Sequence, residues 1–116
     1  MELQSWLKKL DLLQQENILL KNKIADIAKQ DVNRMALERV EYYLNSFIEK
    51  DTVLALLRHE VAEEIRRVGR FGHTESAQMT SQRQTPLRND IAKMEYEFYK
   101  LKGDFNTYIQ QFTTAA

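Results

Sequence analysis

His59 and Glu63 are the residues whose types and spacing come nearest to a known chemistry. Their separation of four residues is that of the HExxH zinc helix, in which two ligands project from one helix face. A glutamate stands here in place of the second histidine, and the other histidine of the chain, His73, lies in a different segment. Without a third ligand the pattern favours two exposed polar side chains, and we expect no metal site.

The chain also lacks the other residue patterns on which catalysis depends. It has no cysteine, which excludes a thiol nucleophile and a disulfide scaffold. The run from Gly69 to Gly72 lacks the lysine and hydroxyl residue of a phosphate-binding loop, and no serine stands in a nucleophile elbow. The sequence predicts a protein that is not an enzyme and binds no cofactor.

The basic residues are unevenly distributed, although the chain as a whole has 17 basic and 17 acidic residues. Between positions 66 and 88 a single acid, Glu75, accompanies five arginines: Arg66, Arg67, Arg70, Arg83 and Arg88. Guanidinium groups suit phosphate and carboxylate recognition. This segment could contact nucleic acid, an anionic surface or an acidic partner, or it could be a solvated loop whose charge serves solubility.

Three amphipathic segments must position these side chains, because apolar residues recur in each at alternating spacings of three and four, as in coiled-coil seams. The first seam is Leu3, Trp6, Leu10, Leu13, Leu20, Ile24 and Ile27. The second is Leu37, Val40, Leu44, Phe47, Leu54, Val61, Ile65 and Val68. The third is Leu87, Ile91, Met94, Phe98, Leu101, Phe105, Tyr108 and Phe112. The seams predict helices over about 2–30, 34–68 and 86–113.

Breaks in the seams predict the connections. The register slips near Gln30, where Asn33 suits an N-cap and Val32 could pack on Leu37 as a hydrophobic staple. This predicts a tight corner, with one continuous helix as the alternative. Residues 69–85 have no sustained periodicity and predict a flexible loop, which Thr85 and Pro86 would end as N-cap and first helical residue.

The expected fold is all-α, a single domain over residues 1–116 built as an elongated antiparallel three-helix bundle. A helix over 34–68 would be about 52 Å long, whereas a compact globule of this size is about 35 Å across. Three long amphipathic helices with sustained seams make such a bundle, or a hairpin that dimerises into a larger one. We therefore expect a homodimer or a helical protein partner, and Tyr96 and Tyr99, which lie outside the seam, are interface candidates.

Three polar residues occupy seam positions: Asn17, Asp51 and Arg58. A polar residue in a seam can specify register and oligomeric state. In an antiparallel two-fold dimer, Asp51 of each copy would face Arg58 of the other. The alternative is that each of them pairs with another helix of its own chain or reaches solvent.

The stretch FIEKDTVLALLRHEVAEEIR at 47–66, with LKNKIADI at 20–27, resembles small uncharacterised helical proteins of Bacteroidetes-type bacteria. The resemblance implies a bacterial cytosolic origin and no catalytic residue, substrate or cofactor. No run approaches the roughly 20 apolar residues of a membrane-spanning helix, and Lys8 and Lys9 interrupt the first apolar run. We expect a cytoplasmic protein that acts through protein–protein association.

Overall fold

The computed structural model describes residues 2–30 and 33–115, with side chains described up to residue 111. Three long helices make up nearly all of it: α1 (Glu2–Ala28), α2 (Arg34–Phe71) and α3 (Ala77–Ala115). A 3₁₀ turn at Gly72–Thr74 lies between α2 and α3. The described residues contain no strand, which confirms the all-α prediction.

The molecule is a rod of 62 × 18 × 18 Å. Its radius of gyration of 18.4 Å exceeds the roughly 13 Å expected of a compact domain of this length. Interhelical ion pairs show the helix directions: α1 meets α2 through Asp11 with Arg58 and Lys21 with Asp51, which is antiparallel order. The chain therefore folds as the predicted elongated bundle, in which α1 and α3 run parallel.

The predicted seams form the core. All the apolar residues of the first seam are buried, and aromatic rings fill the space between α2 and α3. The Phe105 ring lies 5.3 Å from the rings of both Phe47 and Tyr43. Leu37 is an exception in the second seam because its side chain is exposed. The side chain of Phe112 lies outside the described residues.

The corner between α1 and α2 lies where the register slip predicts it, so the two helices are not continuous. Asn33 has an extended backbone (φ −73°, ψ 172°), and its Oδ1 accepts a hydrogen bond of 2.9 Å from the Ala36 amide. The N-cap prediction is confirmed. Val32, the other half of the predicted staple, lies outside the described residues.

The predicted loop at 69–85 is wrong, because α2 continues through Phe71 and α3 begins at Ala77. The capping residue is Ser76, whose Oγ accepts a hydrogen bond of 3.1 Å from the Met79 amide. Pro86 lies inside α3, and the Thr85 hydroxyl donates to the Ser81 carbonyl, one turn back in the same helix, rather than capping a new one. Glu75 in the turn pairs with Arg67 of α2 and Arg83 of α3, and Gln84 Nε2 donates to Glu64 of α2 at 3.0 Å, so side-chain contacts hold the first turns of α3 against α2.

Candidate interaction surface

Asn17 lies at the centre of a polar cluster between α1 and α2. Its side chain is fully buried, and its Nδ2 donates to Asp51 Oδ1 at 2.6 Å and to the Phe47 carbonyl at 2.9 Å. Lys21 forms an ion pair with the second oxygen of Asp51. Asn17 and Asp51, which the sequence singles out separately, are therefore brought together within one chain.

Arg58 also finds its partners on α1. Its Nη1 donates to Gln14 Oε1 at 2.7 Å, and its Nε lies 2.7 Å from Asp11 Oδ1 in an ion pair without hydrogen-bond alignment. The structure thus gives Asp51 and Arg58 partners in their own chain, which is the alternative to pairing between two copies. A role for either residue between copies remains a prediction.

The partners of Arg67 and Arg83 converge on Glu75, in the turn between α2 and α3. The side chain of Glu75 is only 7% exposed, and it accepts hydrogen bonds from Arg67 at 2.8 Å, from Arg83 at 2.9 Å and from Thr80 at 3.1 Å. The hydrogen bonds from the two guanidinium groups lower the pKa of Glu75 to about 2. In the sequence, Glu75 counts only as the one acid among five arginines. In the structure its carboxylate connects Arg67 of α2 with Arg83 of α3 across the turn.

The other predicted arginines differ in their surroundings. Arg66 forms an ion pair with Glu63, and Arg88 lies 2.6 Å from Glu2 and stacks over the Trp6 ring at 5.5 Å. Arg70 is exposed and makes no ion pair with any residue in the described ranges. Four of the five arginines therefore have carboxylate partners, so the basic segment is largely neutralised.

A ladder of ion pairs joins the parallel helices α1 and α3. Its members are Glu2 with Arg88, Lys9 with Glu95, and Glu16 with Lys102. On each helix the three charges are seven residues apart and alternate in sign, and every pair spans 86 residues. Sequence reasoning missed this ladder, although the matching sign pattern at heptad spacing could have revealed it.

The two residues with metal-ligand spacing are both exposed. His59 Nε2 lies 3.9 Å from Glu63 Oε1, and Glu63 forms its closer ion pair with Arg66. The hydrogen bond from Arg66 lowers the pKa of Glu63. Within the described ranges no three His, Cys, Asp or Glu residues form a group that could hold a metal ion.

Large apolar side chains lie on the outside of the α1–α3 pair, beside the ion-pair ladder. Leu12 and Tyr99 line one shallow groove of about 320 Å³, with Ser5 and Lys8 at its edge. Leu12 is 57% exposed and Tyr99 48%, while Leu19 and Tyr96 are 68% and 70% exposed. We call this surface, defined by Leu12, Leu19, Tyr96 and Tyr99, the α1–α3 face. Its tyrosines are the two that the sequence marked as interface candidates.

Comparisons with protein-family models, with curated proteins and with solved structures find no match for this chain. Among the described residues, no helix is long and apolar enough to cross a membrane. The case for a function therefore rests on the surface itself.

Proposed function

We propose that this chain is a non-enzymatic helical-bundle protein that acts through protein–protein association, as a homo-oligomer or with a helical partner, and that the α1–α3 face is the contact surface. The observation that carries the proposal is the groove lined by Leu12 and Tyr99, with Leu19 and Tyr96 exposed on the same two helices although the seams of the bundle are buried. Large apolar side chains grouped on a surface are typical of protein interfaces.

The charges around the α1–α3 face support the same proposal. Lys9, Glu16, Glu95 and Lys102 lie next to it and are paired with one another within the chain. These four charges can therefore stay paired when a partner covers the face, which limits the cost of burying ions. The groove of α2 with α3 is less suitable, because Glu60, Asp90, Lys93 and Glu97 surround Val53 and Leu56 there.

Paired substitutions test the proposal. We expect the protein to associate at tens of micromolar in light scattering after gel filtration, and Leu12→Glu with Leu19→Glu to raise the dissociation constant at least tenfold. The matched control is Val53→Glu with Leu56→Glu, which places the same charges on exposed residues of another face. A strictly monomeric protein would remove the oligomeric form of the proposal, and equal effects of both pairs would remove the assigned face.

The alternative function, binding of nucleic acid or an anionic surface through the Arg66–Arg88 region, has weaker support. Carboxylates occupy four of its five arginines, which leaves Arg70 and the exposed side of Arg66 beside Phe71. A salt-dependent mobility shift with generic DNA or RNA, lost when Arg66, Arg67 and Arg70 become alanine, would favour it. The cytoplasm, as the sequence indicates, is the compartment we propose for either function.

A further inference from the structure

Gly103 in α3 has no explanation within its own chain. Its φ is not positive, and a Cβ added to it would meet no atom of the described residues within 4 Å. Glycine inside a helix is less favourable than alanine, so the isolated bundle would gain from a larger residue at this position. A glycine with these properties is suited to the close approach of a backbone from outside the chain.

Gly103 belongs to an uncharged stripe along the outer side of α3. The stripe repeats at alternating spacings of three and four residues and consists of Asn89, Ala92, Tyr96, Tyr99, Gly103, Asn106 and Gln110. All of them are exposed except Asn106, which is half-buried. The outer positions of a bundle helix ordinarily hold charged residues. Here two tyrosine rings stand next to a notch without a side chain, as in a surface that packs against another helix.

We propose that this stripe binds the same stripe of a second copy, with the two α3 helices antiparallel and the two-fold axis at Gly103. The inference rests on the proposed function and names its partner. A two-fold contact must be self-complementary, because the same surface is used by both copies: where one residue contacts a second residue of the other copy, that second residue contacts the first in return. Antiparallel pairing about Gly103 places Tyr99 beside Thr107 of the second copy and Tyr96 beside Gln110, so no ring meets a ring. It also places Lys100, which flanks the stripe, beside the uncharged Asn106.

The length of the rod sets the size of this contact. Gly103 lies seven residues, or about 10 Å, beyond the middle of α3, so a two-fold axis there shifts the two rods by about 20 Å. The remaining overlap is about 40 Å long. A helix with its side chains is about 10 Å wide, so contact through α3 alone covers about 400 Å² per copy. Stable interfaces bury about 800 Å² per partner, so a weak dimer is expected.

Substitutions at Gly103 test the inference, with Gly69 as the control position. Alanine at position 103 should stabilise the folded chain and weaken its association. Gly103→Ala should raise the melting temperature of the dilute chain by about 4 °C through helix propensity and weaken the dimer. Gly103→Leu should raise the dimer dissociation constant at least tenfold in sedimentation velocity. The control is Gly69→Ala, since Gly69 lies in α2 with equally open surroundings. It should raise the melting temperature and leave the dimer unchanged.

The outcomes separate this inference from the proposed function. A dimer that tolerates Gly103→Leu but dissociates with Leu12→Glu and Leu19→Glu would overturn the crossing at Gly103 and leave the α1–α3 face in place. A wild-type chain that stays monomeric up to 100 µM would overturn the second copy as partner. A dimer that Gly103→Leu weakens and Gly69→Ala leaves unchanged would support the inference.

Discussion

Asn17 and Glu75 are polar side chains held inside the bundle by different means. Both amide hydrogens of Asn17 are donated to α2, but its buried Oδ1 has no hydrogen-bond partner in the part of the chain that the structure describes. Such an orphaned acceptor typically costs about 1–3 kcal/mol. Glu75 instead has its charge matched by two arginines and a hydroxyl. Asn17 therefore specifies the alignment of α1 with α2 at a cost in stability, whereas Glu75 joins α2 to α3 with its charge balanced.

Glu75 should make stability depend on acid pH. The pKa of Glu75 in the folded chain is about 2, below the ordinary value of 4.5, so the folded state favours the charged form. Its contribution is fully present above pH 4.5 and is lost as the pH falls through about 2. Urea unfolding of the Glu75→Gln variant between pH 7 and pH 2 should show lower stability at neutral pH and a difference from wild type that shrinks with acidification.

The control for this titration is Glu60→Gln, because Glu60 is exposed on α2 and forms no ion pair with any part of the chain that the structure describes. Glu60→Gln should leave the wild-type pH profile unchanged. A constant difference between Glu75→Gln and wild type from pH 7 to pH 2 would contradict the assigned role of the carboxylate.

The helices are held in register by different interactions on each pair. α1 and α2 are aligned by the polar cluster of Asn17, Asp51 and Lys21, while α1 and α3 are aligned by the ion-pair ladder. α2 and α3 share the aromatic core around Phe105 and the Glu75 turn. Each pair of neighbouring helices is thus aligned by interactions of a different chemical kind. This disfavours alternative packings in which two helices swap places in the bundle.

Reversing the ladder tests its part in this alignment. Changing the three α1 charges together (Glu2→Lys, Lys9→Glu, Glu16→Lys) places like charges opposite one another and should lower the free energy of unfolding by roughly 2 kcal/mol at low salt, given about 0.2–1 kcal/mol per exposed pair. Adding the reversed α3 partners (Arg88→Glu, Glu95→Lys, Lys102→Glu) should restore it. Chemical denaturation measures both changes. If the variant with all six substitutions does not regain the wild-type free energy of unfolding, the two sets of charges are not coupled.

The whole molecule is a thin rod, so its surface is large relative to its core. A rod 18 Å wide cannot bury every apolar side chain that three helices carry, and the leucines and tyrosines of the α1–α3 face stay in water in the single chain. Association would remove these side chains from water and would be favourable, because the hydrophobic free energy is proportional to the apolar area that is covered.

The proposed dimer predicts an overall shape that scattering can measure. A two-fold axis at Gly103 shifts the rods by about 20 Å, so the dimer should be about 80 Å long, compared with 62 Å for the single bundle. Small-angle X-ray scattering across a concentration series should show this lengthening as the mass doubles. A dimer no longer than the single bundle would place the axis at the middle of α3 instead.

The sequence by itself determined the helices, their seams and the Asn33 cap, because these depend on periodicity and on side chains within a few residues. It placed the start of α3 nine residues too late, since Pro86 and the polar composition of 69–85 are local signals of a loop. Only the tertiary structure decided that this segment is helical, because contacts across the turn from Glu75 and Glu64 hold it against α2. The partners of Asn17, Asp51 and Arg58 were undetermined for the same reason: a seam position shows that a residue faces another helix, and only the packing decides which helix it faces.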